Sequence, residues 1–142
     1  MRSDLEQTLR TVRELMSAEV VTIGPDATLQ QTIATRVSKG IRHLPIIEEG
    51  RLAAIVSDRN IRVMIAGAVD TNERRRYLRT TSVMVHASHP VTTIGPDATA
   101  AEAARLFVEQ RIGCLPVVDD DGALVGIVTQ TDLLTWLTSG IH

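Results

Sequence analysis

The stretch TIGPDAT at residues 22–28 recurs letter for letter at residues 93–99. The similarity continues beyond it, because residues 41–57 align with residues 112–129 once a single extra acidic residue is allowed in the second copy. A match of this length at a nearly constant offset indicates an internal duplication. The chain of 142 residues is therefore predicted to contain one structural unit twice.

Each copy is predicted to fold in the order β-α-β-β-α. A short β segment comes first, and the Gly-Pro-Asp that follows it is typical of a turn. Thr28 with Gln31, and Thr99 with Glu102, have the spacing of a capping box, which marks the start of a helix. The apolar face of the first helix is predicted at Leu29, Ile33 and Val37, and that of the second at Ala100, Ala104, Phe107 and Val108.

Two apolar runs follow the helix in each copy and are joined by acidic residues and a glycine, which predicts a β-hairpin. The initial β segments are 20–23 and 91–94, and the hairpin runs are 43–47, 52–56, 114–118 and 124–128. Since one copy is too small to bury a good core alone, the copies are expected to stack on each other. The predicted boundaries are 1–67 for the first repeat, 68–77 for a linker and 78–142 for the second repeat. An amphipathic helix is predicted over residues 4–16, with Leu5, Leu9, Val12 and Met16 on one side.

Composition excludes several classes of protein. The net charge of −2 and the three aromatic residues argue against a nucleic-acid partner, so the Arg-rich residues 74–79 are interpreted as a solvated linker helix. A single cysteine allows no intrachain disulfide, which is typical of a cytoplasmic protein. There is no long apolar run for a membrane span, no catalytic motif, and no ligand set around His86 and His89 to hold a metal. An enzyme is the least supported function.

The order of motifs resembles a cystathionine-β-synthase (CBS) domain: Gly-Pro-Asp-Ala-Thr, a helix, Ile-x-x-Leu-Pro, an acidic turn, and Ile-Val-Thr-x-x-Asp-Leu. Two of them, at about residues 10–67 and 78–138, resemble a CBS pair, or Bateman module. The resemblance implies an α/β (α+β) fold in which two repeats pack about a pseudo-twofold axis and leave two clefts. It also implies an adenine nucleotide or S-adenosylmethionine as a regulatory ligand with no further cofactor, and a homodimer. A stand-alone pair would regulate a partner protein in trans.

Thr129 and Asp132 are the foremost candidates for ligand binding. The resemblance implies that this Thr contacts phosphate and that this Asp binds the ribose hydroxyls. The same Thr-x-x-Asp spacing is also that of a helix cap, and one Asp rarely serves both purposes fully. The first copy has Ser57 and Asn60 at these positions, and an amide brings no charge to a diol. We therefore expect unequal sites, or a first site that is only structural.

The residues before each Leu-Pro are expected to line the ligand pocket. The resemblance implies that Arg42 and His43 reach a phosphate in the cleft of Asp132; the alternative is two surface residues at a strand edge. Gly113 and Cys114 are small, which leaves room for an adenine or reflects simple core packing. By position in the repeat, further contacts are expected from Val20, Val21, Ile41, Pro45, Pro90, Val91, Ile112 and Pro116.

Two functions remain compatible with the sequence. The first is an adenine-nucleotide sensor, in which the ligand shifts a conformational equilibrium that a partner detects. The second is an oligomerisation module without a ligand. Its interface is predicted at apolar positions late in the second helix of each repeat, namely Met64, Ile65, Trp136 and Leu137.

Overall fold

Each repeat folds as a helix, a two-stranded antiparallel hairpin and a second helix, which confirms the predicted mixture of helices and strands. The computed structural model describes residues 10–66 and 71–139. The helices are α1 (Val12–Leu15), α2 (Leu29–Lys39), α3 (Asp58–Ala66), α4 (Thr71–Thr80), α5 (Ala100–Gln110) and α6 (Gln130–Ser139), with a 3-10 helix at Val83–Val85. The strands are β1 (His43–Glu48), β2 (Arg51–Ser57), β3 (Cys114–Val118) and β4 (Leu124–Thr129). Within the described ranges, no helix is long and apolar enough to cross a membrane.

Both predicted capping boxes are present. The Thr28 hydroxyl accepts a hydrogen bond from the Gln31 N–H at 3.1 Å, and the Thr28 N–H donates to the Gln31 side chain at 2.9 Å. Thr99 and Glu102 repeat this exchange at 3.1 and 3.2 Å. These bonds satisfy two N–H groups that the first turn of a helix otherwise leaves free, so the start of each helix is set locally.

The predicted apolar faces of α2 and α5 are only partly correct. Leu29 and Phe107 are buried, but Val37 and Val108, which occupy equivalent positions, are 66% and 77% exposed. Thr32 is fully buried instead, and its hydroxyl donates to the Thr28 carbonyl at 2.8 Å, which removes the cost of burying a polar group. The fully buried positions therefore lie in the first turn of α2 but extend to Phe107 in α5, and Val37 and Val108 lie outside both buried stripes.

The hairpins pair as predicted. Strand β1 runs antiparallel to β2 with His43 opposite Ser57, and β3 runs antiparallel to β4 with Cys114 opposite Thr129. The short β segments predicted at 20–23 and 91–94 are not strands, since each forms a single parallel bridge, at Ile23 and at Ile94. The Gly-Pro turn begins at the next residue and ends the pairing.

The described residues form two compact units. In each unit, a repeat is joined by the segment that precedes the other repeat in the sequence. We call residues 21–91 unit A, and residues 10–20 with 92–139 unit B. In unit B, the backbones of Ser17 and Ile127 exchange two hydrogen bonds of 2.9 Å, and in unit A Ser88 and Ile55 do the same at 2.9 and 3.1 Å. The segment before each repeat thus extends the hairpin of the other repeat. The boundaries predicted at 67 and 78 divide the chain by repeat, and that division stays a prediction.

The predicted N-terminal helix is described only in part. Leu5 and Leu9 lie outside the described residues, and of residues 10–16 only the single turn α1 is helical. Val12 is fully buried in unit B, and Met16, beyond the end of α1, packs against the same core. The core of unit B is formed by Val12, Ile94, Ala100, Ala103, Phe107, Leu115, Val117, Val128 and Leu133. The core of unit A is formed by Leu29, Leu44, Ile46, Ala54, Val56, Ile61, Met64 and Val83.

Candidate functional site

Thr129 and Asp132 form a reciprocal cap at the start of α6. The Thr129 N–H donates to Asp132 Oδ2 at 2.9 Å, and the Asp132 N–H donates to Thr129 Oγ1 at 3.0 Å. The cap that the Thr-x-x-Asp spacing allows is therefore present, and the ligand role stays a prediction. The cap uses only one carboxylate oxygen, however, and within the described residues Oδ1 has no hydrogen-bond partner. Because both side chains are half-buried, the cap leaves an acceptor and a hydroxyl hydrogen available at the N-terminus of a ten-residue helix.

The residues next to this cap leave open space. A side-chain carbon at Gly113 would meet no atom within 4 Å, and the Gly113 carbonyl is held by the Gln130 N–H at 3.0 Å. The Gln130 side chain also donates to the Ile112 carbonyl at 3.0 Å. These two bonds fix the backbone of residues 112–113 beside the start of α6. Room at Gly113 agrees with the sequence prediction, whereas contact with an adenine stays a prediction.

Cys114 is poorly suited to nucleophilic chemistry at neutral pH. Its side chain is buried, and burial, with a smaller effect of the Asp132 charge, raises the pKa of the thiol to about 12. A neutral buried thiol is a poor nucleophile. Its burial agrees with the packing alternative, and contact of Cys114 with an adenine stays a prediction.

Asn60, which occupies the position of Asp132 in the first repeat, is fully engaged within unit A. Its Oδ1 accepts from the Ser57 N–H at 2.8 Å and from the Ser57 hydroxyl at 3.0 Å. Its Nδ2 donates to the His86 carbonyl at 2.9 Å and to the Ser88 hydroxyl at 3.3 Å. The amide therefore ties the start of α3 to residues 86–88. The missing charge at Asn60 is one reason to expect unequal sites, and the engagement of its amide is a second.

His86 packs within unit A and does not lie in a solvated loop. It is half-buried, and its Nε2 is hydrogen-bonded to the Tyr77 hydroxyl, with ring centroids 5.8 Å apart in an edge-to-face arrangement. Helix α4 is thus anchored to the same segment that Asn60 holds. Among the residues that the structure describes, no group of three or more His, Cys, Asp or Glu side chains is placed to bind a metal.

Replacing Asn60 with Asp is expected to destabilise unit A. The carboxylate keeps the acceptor for Ser57, but it loses both donors and places a charge against the His86 carbonyl. A buried carbonyl left without its donor costs about 1–3 kcal/mol, so the free energy of unfolding in urea should fall by roughly that amount. The matched control is Asp132→Asn, which should change stability by less than about 0.5 kcal/mol, since Asn and Asp cap equally well. An Asn60→Asp variant as stable as wild type would show that the network is not structural.

Arg42 is exposed and His43 is half-buried. Both residues belong to unit A. Burial, together with the adjacent Arg42 charge, lowers the pKa of His43 although Asp58 opposes the shift. Asp58 itself is paired with Arg36, whose Nε donates to Asp58 Oδ1 at 2.7 Å. His43 therefore offers a neutral imidazole at neutral pH. The expected reach of these two residues to a phosphate beside Asp132, in unit B, stays a prediction.

The remaining predicted pocket residues divide into two groups. Pro45 and Pro116 are buried, and their carbonyls accept from the Ile23 and Ile94 N–H groups at 3.1 Å, so both serve the fold. The others expose part of their surface and remain candidates for apolar ligand contacts: Val20, Val21, Ile41, Pro90, Val91 and Ile112.

The chain belongs to the CBS domain family, whose model matches residues 12–67 and 82–139. It is a tandem pair of such domains. It is 34% identical over 133 residues to a CBS domain-containing protein of Dictyostelium discoideum, covering 89% of this chain and 90% of the relative. It is also 29% identical over 131 residues to a homoserine O-acetyltransferase of Methanohalophilus mahii, covering 92% of this chain but only 25% of that enzyme.

Solved CBS pairs have the same fold. The pair of protein MJ0100 in complex with 5′-methylthioadenosine and S-adenosylmethionine is 23% identical with a TM-score of 0.77, covering 89% of this chain and 98% of that chain. CBSX2 in complex with AMP is 24% identical with a TM-score of 0.77, covering 92% and 97% of the two chains. At these identities the likeness shows the fold alone.

Proposed function

We propose that this CBS pair is a regulatory module that binds an adenine nucleotide or S-adenosylmethionine at Thr129 and Asp132. The observation that carries the proposal is the Asp132 carboxylate, which caps α6 with Oδ2 and leaves Oδ1 without a partner among the described residues. A carboxylate oxygen accepts a hydrogen bond from a ribose hydroxyl with the added strength of its charge. Asp132 therefore combines the two roles that the sequence set against each other.

The ligand class follows from the groups that the site offers. The N-terminus of α6 and the Thr129 hydroxyl favour an anionic group, whereas Oδ1 of Asp132 favours a diol. The ligands of the two CBS pairs described above, AMP in one and 5′-methylthioadenosine with S-adenosylmethionine in the other, share an adenosine. We infer that the ribose and adenine supply the common recognition, and that a phosphate adds affinity near Thr129.

Unit A supplies no equivalent site in this proposal. Every polar atom of the Asn60 amide is engaged by residues of its own unit, so a ribose would have to replace the four hydrogen bonds that hold it. Loss of one such bond without compensation costs about 1–3 kcal/mol. One ligand per chain is therefore the expected stoichiometry.

The regulatory step requires a ligand that prefers one of two conformations, since a ligand moves an equilibrium only through its differential affinity. We propose that the chain acts on a partner protein in trans, as a homodimer in the cytoplasm. No reaction is assigned to it. The CBS family is generally regulatory, and Cys114 is protonated and buried.

A ligand-free interaction module is the second candidate, and apolar side chains exposed on α3 and α6 favour it. Val63 and Leu134 are 54% and 59% exposed. The interface predicted from sequence needs correction, because Met64 is 1% exposed in the core of unit A and Trp136 packs against the core of unit B. Ile65 and Leu137 remain available at 40% and 36% exposure.

Calorimetric titration separates the two candidates. The sensor proposal expects binding of AMP, ATP or S-adenosylmethionine at micromolar to millimolar concentration, and weaker binding of the matching 2′-deoxynucleotide, which lacks one hydroxyl of the diol. GMP serves as the control for the base. No heat with any adenine ligand at millimolar concentration would reject the sensor and leave the interaction module.

A further inference from the structure

The two units carry opposite charge, which the net charge of the whole chain conceals. Among the described residues, unit A has ten Lys and Arg against five Asp and Glu, whereas unit B has four against nine. Unit A is therefore five charges positive and unit B five charges negative, with His taken as neutral. Fields of this size and opposite sign favour association between the unlike surfaces of separate molecules.

The positive charge of unit A is concentrated on its helices. Helices α2, α3 and α4 together carry eight basic and two acidic residues, and α4 packs against both of the others. One of the two acidic residues, Asp58, is already paired with Arg36. The three helices of unit A thus carry six more basic than acidic residues.

Three arginines of α4 form the most accessible part of this surface. Tyr77 and Leu78 pack against the core of unit A, which leaves Arg75, Arg76 and Arg79 exposed. Residues four apart lie on one side of a helix, so Arg75 and Arg79 are neighbours and Arg76 borders them. Within the described part of the chain, these three side chains have no ion pair or hydrogen bond. We call them the arginine face.

Unit B presents acidic groups in a fixed turn between β3 and β4. The Asp119 carboxylate accepts from the N–H groups of Asp121 and Ala123 at 2.9 and 3.0 Å, which fixes the turn. Asp120 and Asp121 are exposed, and no ion pair engages them within the described residues. Each of these two exposed carboxylates can pair with the two N–H groups of a guanidinium fork.

We propose that the arginine face of α4 is a docking surface for a second copy of this chain, which presents its acidic turn. Charge complementarity supports this occupant, because the acidic turn of one molecule attracts the arginine face of another. Guanidinium–carboxylate pairs supply the contacts. This mode of association is separate from the apolar positions of α3 and α6, and it does not depend on a nucleotide.

Sedimentation velocity of the full chain at low and high salt tests the proposal. The screening length falls from about 30 Å at 0.01 M to about 3 Å at 1 M salt, so the association constant should fall at least tenfold between these conditions. Association through apolar side chains would instead stay the same or strengthen as the salt concentration rises. A chain that is monomeric at low salt and tens of micromolar, or whose association does not weaken with salt, would overturn the proposal.

Charge reversal then identifies the surfaces. The variants Arg75→Glu/Arg76→Glu/Arg79→Glu and Asp120→Lys/Asp121→Lys should each fail to self-associate at low salt, whereas an equimolar mixture of the two should associate. Leu137→Glu is the control for an apolar interface and should associate as wild type does. Failure of the mixture to associate would overturn the assignment, as would binding of a duplex oligonucleotide by a wild-type monomer. If the triple arginine variant does not fold, Asp120→Lys/Asp121→Lys alone is compared with wild type, and its self-association at low salt should be lost.

Discussion

Replacing Asp132 with Asn is expected to weaken adenine-nucleotide binding roughly 5- to 150-fold without unfolding the protein. The amide oxygen can still accept from the Thr129 N–H, so the cap of α6 is retained. With the amide oxygen in the cap, the atom that faces the ligand changes from a charged acceptor to the Nδ2 group, which can only donate. Loss of the charge-assisted bond should cost about 1–3 kcal/mol of binding free energy, measured by calorimetric titration with AMP.

Asp120→Asn is the matched control for this prediction. It makes the same change of charge in the same unit, but at an exposed turn. If the local carboxylate matters, Asp120→Asn binds as wild type does while Asp132→Asn does not. If both variants lose affinity equally, the effect is one of overall charge and the site has been placed wrongly.

Replacing Gly126 with Ala is expected to lower the free energy of unfolding of unit B by about 1–3 kcal/mol. A side-chain carbon at this position would lie 2.5 Å from Met16 Sδ and 2.9 Å from the Ser17 carbonyl oxygen. The segment of residues 16–17 would have to move away from β4, with which Ser17 exchanges two backbone hydrogen bonds. Urea or thermal unfolding measures the change.

The first repeat has a smaller residue at the position of Met16, which would relieve the contact made by an alanine at position 126. Ala54, which is fully buried, stands at the position of Gly126, and Ala87 stands at the position of Met16. The double variant Gly126→Ala/Met16→Ala recreates that pair and should be more stable than the sum of the two single changes implies. Strict additivity in this double-mutant cycle would show that the two side chains do not compete for the same space.

The sequence predicts best what is decided within a few residues. The capping boxes at Thr28 and Thr99 depend on a partner three positions away, and the hairpins depend on the acidic turns between their strands. The Thr129–Asp132 cap belongs to the same category. What the spacing does not tell is that the cap uses only one carboxylate oxygen.

Contacts between distant segments were not predictable in the same way. Asn60 bonds to the His86 carbonyl across 26 positions, and the His86 ring meets Tyr77, so no local pattern marks this network. The role of the N-terminal segment was missed for the same reason, because Ser17 pairs with Ile127 in the other repeat. Once residues 71–91, which carry four arginines and one glutamate, are assigned to unit A, the charge of the described residues separates into two opposite halves that the repeat boundaries obscure.

The stoichiometry of AMP binding to the wild-type chain decides whether there is one adenosine site at Asp132 and none at Asn60. Calorimetric titration at a protein concentration well above the dissociation constant should give one AMP per chain, and the Asp132→Asn variant should remove or strongly weaken that single site. Two equivalent ligands per chain, or one ligand whose affinity is unchanged in Asp132→Asn, would contradict the assignment of the site to Asp132.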